Sequence, residues 1–98
     1  MNERPKSLEV ELGEKESEGV YSNMVLIAHS PYEFILDFAR YLPGLKKAKV
    51  KSRIIMTPPH AMSLLKTLQE NTKKYEEKFG KIEVGGKEPT IGFKSTHE

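Results

Sequence analysis

Three side chains of this 98-residue sequence have the chemistry of a metal or acid–base site: His29, Asp37 and His60. Two imidazoles and a carboxylate form a donor set that zinc or iron accepts. Their spacing lacks a pattern such as His-x-x-x-His, which would place two ligands on one face of a helix. The simpler interpretation is that His29 ends a strand and His60 lies in the first turn of a helix. We therefore expect no metal and no cofactor.

Asp37 is unusual because it stands in the apolar run of residues 34–38. A carboxylate in such a strand either faces water or is buried with a partner. Arg40 and Arg53 are the candidate partners. Since no second acid or nucleophile lies nearby in sequence, we expect a structural ion pair rather than a general base. The sequence predicts no catalytic residue and no enzyme.

The segment 46–53 carries five basic residues and no acidic one. Alternation predicts one face with Lys49, Lys51 and Arg53, and another with Val50, Ser52, Ile54 and Met56. Cations on an exposed strand can follow the phosphates of a nucleic acid, and an aromatic ring can stack on a base. The candidate partner or nucleic-acid surface is therefore Lys46, Lys47, Lys49, Lys51, Arg53 and Tyr41.

A structural role for the same cations is the favoured interpretation. Lysines protect sheet edges, and these could also pair across strands with Glu9 and Glu11. The net charge of +2 is low for a dedicated nucleic-acid binder.

The elements that must position these residues follow from periodicity. Residues 8–12 alternate apolar and acidic side chains, which predicts an edge strand. Residues 20–29 predict an apolar strand. One face should carry Val20, Met24, Leu26 and Ala28, and the other Tyr21, Val25 and Ile27. Both faces should therefore be covered. Residues 48–56 form another strand.

Residues 30–42 fit two structures. Ser30, Pro31 and Glu33 resemble a helix-capping box with proline in the first turn. The run is also rich in aromatic and branched side chains that alternate, which favours a strand. The strand is the preferred interpretation.

Residues 57–80 predict a long helix. Thr57 is placed to cap it, Pro58 suits the first helical position, and Gly80 ends it. One face has an apolar stripe, in which Leu65 and Leu68 should be central and packed against the sheet. The stripe consists of Ala61, Leu64, Leu65, Leu68, Thr72, Tyr75 and Phe79.

Together these elements predict an α+β fold, an antiparallel meander of three to four strands followed by one long C-terminal helix. A single domain should span residues 8–80, between a flexible N-terminus (1–7) and a flexible C-terminal tail (81–98). One helix covers one face of a sheet, so the other face should be buried by a second copy in a homodimer or higher oligomer. A protein partner is a further expectation, and a nucleic-acid partner a weaker one.

The absence of cysteine excludes disulfides and thiolate sites. No apolar run reaches the roughly 18 residues of a membrane span, and residues 1–18 lack the apolar core of a signal peptide. We therefore expect a cytoplasmic protein that does not contact a membrane.

The middle of the chain contains a series of short, distinctive segments. They are YSN (21–23), HSP (29–31), EFILDF (33–38), LPG (42–44), KVKSRII (49–55), TPPHA (57–61), LL (64–65) and LQEN (68–71). With these segments the chain resembles a small prokaryotic family known only as a domain of unknown function. The resemblance covers residues 19–79 and implies no activity, substrate or catalytic residue. Pro59 departs from the family pattern, where an acidic residue is expected after the first helical proline.

Overall fold

The computed structural model describes residues 7–85, in which three antiparallel strands precede a long helix. The strands are joined in the order β1-β2-β3, so each pairs with its neighbour in sequence. The predicted α+β meander with a C-terminal helix is confirmed, with three strands. The flexible ends predicted over 1–7 and 81–98 lie largely outside the described residues. The elements are α1 Glu14–Ser17, β1 Met24–His29, β2 Phe34–Arg40, β3 Lys49–Met56 and α2 Pro58–Phe79.

The edge strand predicted over residues 8–12 is wrong. This segment joins no sheet, and Leu8, Val10 and Leu12 are 50%, 72% and 70% exposed. Alternating side chains are compatible with any extended backbone, and only pairing with another strand makes a strand of it. The short helix α1 follows instead, and the Ser17 hydroxyl donates to the Glu14 carbonyl oxygen over 2.8 Å.

Strands β1 and β2 form a hairpin closed by the turn at residues 30–33. The Ser30 backbone N–H donates to the Glu33 carbonyl oxygen over 2.9 Å, and the Ser30 hydroxyl oxygen accepts from the backbone N–H groups of Tyr32 and Glu33. These bonds use the same side chain that would cap a helix, but here they close a turn. Residues 34–40 therefore form a strand, as preferred above.

Strand β1 begins at Met24, four residues later than predicted. Just before it, the Ser22 hydroxyl donates to the carbonyl oxygen of Ala39 over 2.9 Å. The Asn23 backbone N–H donates to the same carbonyl oxygen over 3.1 Å, so a side chain and a backbone group together hold the entry of β1 against β2.

A β-bulge interrupts the β2–β3 ladder and changes the predicted faces of β3. Phe38 lies opposite Ser52, whereas Ala39 lies opposite Val50, so Lys51 has no residue opposite it. Directly opposite residues share a face. Val50 therefore lies on the same face as Arg53, and Lys49 lies on the other. The prediction that Lys49, Lys51 and Arg53 share one face is wrong, because one extra residue breaks the alternation.

The buried core of the described chain is small. Met24, Ala28, Leu36 and Ala39 are the buried hydrophobic residues among residues 7–85, and two of them are alanines. Leu36 lies between Ile27 of β1 and Ile54 of β3 in one row across the sheet. The two flanking isoleucines, Ile27 and Ile54, remain 52% and 42% exposed. Within this row, only the central Leu36 is buried.

Helix α2 begins at Pro58 after Thr57, whose backbone is extended as in an N-cap residue. The Thr57 hydroxyl makes no capping hydrogen bond to the backbone and lies beside the His60 ring instead, so the predicted side-chain cap is wrong. The helix ends at Phe79 because Gly80 takes a φ of 102°, which favours glycine. The predicted helix is confirmed, but its predicted packing on the sheet is wrong. No side chain of α2 is buried, and Leu65 and Leu68 are 48% and 55% exposed.

The projecting helix makes the molecule extended. The radius of gyration is 15.9 Å, whereas a compact domain of this size has about 12 Å. Sequence periodicity predicts an apolar face, but it carries no information on which surface that face meets.

Candidate interaction surfaces

The carboxylate of Asp37 and the guanidinium of Arg53 form an ion pair across β2 and β3. Arg53 Nε lies 2.7 Å from Asp37 Oδ1, and Arg53 Nη2 lies 2.8 Å from Asp37 Oδ2. The two residues are directly opposite in the ladder. The hydrogen bond to Asp37, and then its negative charge, raise the pKa of Arg53 above its ordinary value. This is the structural ion pair that the sequence predicted, with Arg53 as the partner.

The remaining chemical candidates are held apart from Asp37 by separate local contacts. The His29 ring stacks on Phe34 with centroids 5.4 Å apart, and His60 Nδ1 lies 2.8 Å from the Thr57 hydroxyl oxygen. Within residues 7–85, no three His, Asp or Glu side chains are grouped so that they could hold a metal ion. His29, Asp37 and His60 therefore do not form one site in this fold.

The basic segment is exposed but divided. Lys46 and Lys47 lie in the loop before β3, and Lys49, Lys51 and Arg53 lie on the strand. The bulge places Lys49 and Arg53 on opposite faces of the sheet. The Arg53 guanidinium is already paired with the Asp37 carboxylate. Lys49 lies directly opposite Arg40, which sets two positive charges side by side.

The proposed cross-strand pairs with glutamates are not present. Residues 8–12 form no strand, and no ion pair among residues 7–85 joins Lys49 or Lys51 to Glu9 or Glu11. The lysines therefore project into solvent from one edge strand of the sheet.

Tyr41 is held by a contact that the sequence did not predict. Asn23 Nδ2 donates to the Tyr41 carbonyl oxygen over 3.0 Å, and the Tyr41 backbone N–H donates to Asn23 Oδ1 over 2.8 Å. This reciprocal pair fixes the exit of β2 beside the entry of β1. The sequence around Asn23 and Tyr41 does not predict this contact, because a side-chain amide that bonds to a backbone 18 residues away leaves no local pattern.

The stripe along α2 is an exposed apolar surface. Its large side chains are exposed by 39% (Leu64), 48% (Leu65), 55% (Leu68), 50% (Tyr75) and 66% (Phe79). The rings of Tyr75 and Phe79 pack against each other with centroids 4.9 Å apart, and Lys78 Nζ lies 5.5 Å from the Phe79 centroid. Side chains at the end of the stripe therefore contact each other within α2, but the sheet does not cover the stripe.

The apolar stripe of α2 is not part of a membrane-spanning helix. Across residues 7–85, no helix combines the length and the apolar character needed to cross a membrane. Helix α2 itself carries charged residues along its other faces.

The chain belongs to the family described as "Protein of unknown function (DUF3467)", whose model matches residues 1–84. The resemblance noted in the sequence is thereby confirmed. Comparisons with curated proteins and with solved structures gave no match.

Proposed function

We propose that this chain is a non-enzymatic interaction module that associates with itself, and that it can also bind a protein or peptide partner. One observation carries the proposal: the large apolar side chains of the α2 stripe, from Leu64 to Phe79, are exposed, while the core among residues 7–85 contains four residues. Monomeric proteins rarely leave such a continuous apolar strip in water.

The size of the core supports the same proposal. Burying a large aliphatic side chain stabilises a fold by about 1.5–3 kcal/mol, and an alanine contributes less. Ordering one residue costs about 1–2 kcal/mol of backbone entropy. A core of Met24, Ala28, Leu36 and Ala39 is small against that cost. Apolar surface buried against a second copy would offset the difference.

The separation of the polar candidates supports a role without catalysis. Asp37 is engaged by Arg53, His29 by Phe34 and His60 by Thr57. Acid–base chemistry needs such groups to converge within hydrogen-bond reach of one substrate atom.

Sedimentation equilibrium tests self-association. At micromolar concentration we expect a mass of at least twice 11.2 kDa. Leu68→Ala should shift the equilibrium toward the monomer, because truncating a buried leucine costs about 2–5 kcal/mol. Lys73→Ala is the matched control, since Lys73 lies on the same helix outside the stripe. A wild-type monomer at high concentration would overturn the proposal.

Nucleic-acid binding through residues 46–53 is the second candidate. The observation in its favour is the Arg40–Lys49 pair, in which two cations face each other directly. Like charges so placed are destabilising, and a bound phosphate would relieve the repulsion. The bulge weakens this candidate, because it leaves no single face that presents Lys49, Lys51 and Arg53 together.

A further inference from the structure

The stripe of α2 has the spacing of a helix that packs along another helix. Six of its members are separated by steps of four, three, four, three and four residues, which is a seven-residue repeat. The first and fourth positions of the repeat are the ones buried in coiled coils. In this chain the first positions are Leu65, Thr72 and Phe79, and the fourth positions are Ala61, Leu68 and Tyr75.

The length of α2 suits such packing. Its 22 residues extend about 33 Å at 1.5 Å per residue. All six positions of the repeat, from Ala61 to Phe79, therefore lie on one helix. Every residue from 64 to 79 is exposed, and Ala61 at the start of the stripe is half-buried. A second helix can therefore lie along the stripe from Leu64 to Phe79 without displacing any other part of the described chain, and at Ala61 it would add to cover that is already partial.

The order of side-chain sizes along the stripe selects the direction of the second helix. If two copies of α2 run antiparallel, Ala61 lies opposite Phe79, Leu65 opposite Tyr75, and Leu68 opposite Thr72. Each layer then joins a smaller side chain to a larger one. If the copies run parallel, Ala61 faces Ala61 and Phe79 faces Phe79, which leaves one layer underfilled and another crowded.

Charge on the flanks is compatible with a two-fold axis at the middle of the helix. At that axis a residue meets the same residue of the other copy, so a charged side chain there would repel itself. The residues that flank the stripe at the middle are Gln69 and Asn71, and both are neutral amides. Glu70, at the middle itself, lies on the side of the helix opposite the stripe, away from the second copy. Farther out, Met62 would face Glu76 and Leu64 would face Lys78, so no like charges meet.

We infer that α2 pairs antiparallel with α2 of a second copy of this chain, with Ala61 of each copy seated against Phe79 of the other. The inference rests on the proposed self-association and specifies its surface. The two sheets would then lie at opposite ends of a helix pair, each still carrying its own exposed faces.

Cysteine cross-linking tests the direction, because the chain has no cysteine of its own. Leu65→Cys and Tyr75→Cys are made separately, and both positions are exposed in the single chain, so the fold should tolerate them. Antiparallel pairing predicts that an equimolar mixture oxidises to a disulfide-linked heterodimer, while each variant alone gives at least tenfold less linked product. Lys66→Cys, which lies outside the stripe, is the control and should not link.

The other outcomes separate this inference from the proposed function. Efficient linking of each variant with itself would show parallel helices and overturn the inference. A dimer in sedimentation that links in no combination would place the contact elsewhere, for example at the edge of β1; the inference would fail while self-association stands. A monomer in sedimentation would overturn both.

Discussion

The Arg53 guanidinium donates two hydrogen bonds, of 2.7 and 2.8 Å, to the Asp37 carboxylate. The two residues lie directly opposite each other in the β2–β3 ladder. The two side chains differ in their access to water, since that of Arg53 is 54% exposed and that of Asp37 is 14% exposed. The pair therefore matters more to the carboxylate, which has little water to replace its cation.

That difference predicts an unequal response to substitution. Arg53→Met removes the cation that bonds to both oxygens of the half-buried Asp37 carboxylate, so the urea midpoint should fall clearly. Asp37→Asn leaves Arg53 able to reach water and should lower the midpoint less. Lys49→Met is the control, because it removes a cation from the same strand without breaking an ion pair. Equal effects of Arg53→Met and Lys49→Met would contradict the account.

The reciprocal contact between Asn23 and the Tyr41 backbone should contribute measurably to stability. Asn23→Ala removes both hydrogen bonds, and we expect the free energy of unfolding to fall by about 1–2 kcal/mol, because one intramolecular hydrogen bond contributes about 1 kcal/mol net. Tyr41→Phe should have little effect, because Asn23 bonds to the backbone and not to the phenol. Urea unfolding of the two variants measures the difference, and a larger loss for Tyr41→Phe would refute the assignment.

Deleting Lys51 should be tolerated. It is the residue without a partner at the bulge, so its removal restores regular alternation and keeps every other pair of the β2–β3 ladder. Circular dichroism and cooperative unfolding should survive the deletion. Deleting Ile35 is the contrasting change, because that residue is paired on both sides and its loss shifts two registers at once. If both deletions abolished folding, the assigned register would be wrong.

Oligonucleotide binding should be weak. If the basic segment bound a single strand through three to five phosphates, affinity would fall at least tenfold between about 50 and 200 mM salt. Fluorescence anisotropy with a mixed-sequence oligonucleotide should show no such binding, because the bulge divides the cations. Should tight, salt-sensitive binding occur, charge reversal at Lys49 and Lys51 must abolish it, whereas reversal at Lys66 and Lys73 on α2 must not.

Most of the fold was predictable because its signals are local. The apolar run of β1, the alternation of β3 and the Pro58-to-Gly80 helix each follow from residues close in sequence. The turn at Ser30 was harder, since one serine serves a helix cap and a hairpin equally well. The false strand over 8–12 shows the limit of this approach, because pairing depends on an edge distant in sequence.

The site was less predictable for a related reason. The Asp37–Arg53 pair could be proposed because only two arginines were available nearby. The separation of Lys49 and Arg53 onto two faces could not be predicted. A bulge depends on how two strands fit together, and it does not change the apolar–polar alternation in the sequence of either strand. The exposure of Leu65 and Leu68 was also hidden, since an apolar stripe has the same pattern whether its cover comes from the same chain or another.

The neighbour-to-neighbour order of the three strands has a consequence for the rate of folding. Each hairpin closes through contacts near in sequence, and such hairpins form within about 1–10 μs. Two copies at micromolar concentration meet far more slowly, with association constants of about 10⁵–10⁷ M⁻¹s⁻¹. If the helix needs a second copy for cover, the encounter of two chains is the slow event. Refolding would then be second order, and doubling the protein concentration would halve its half-time.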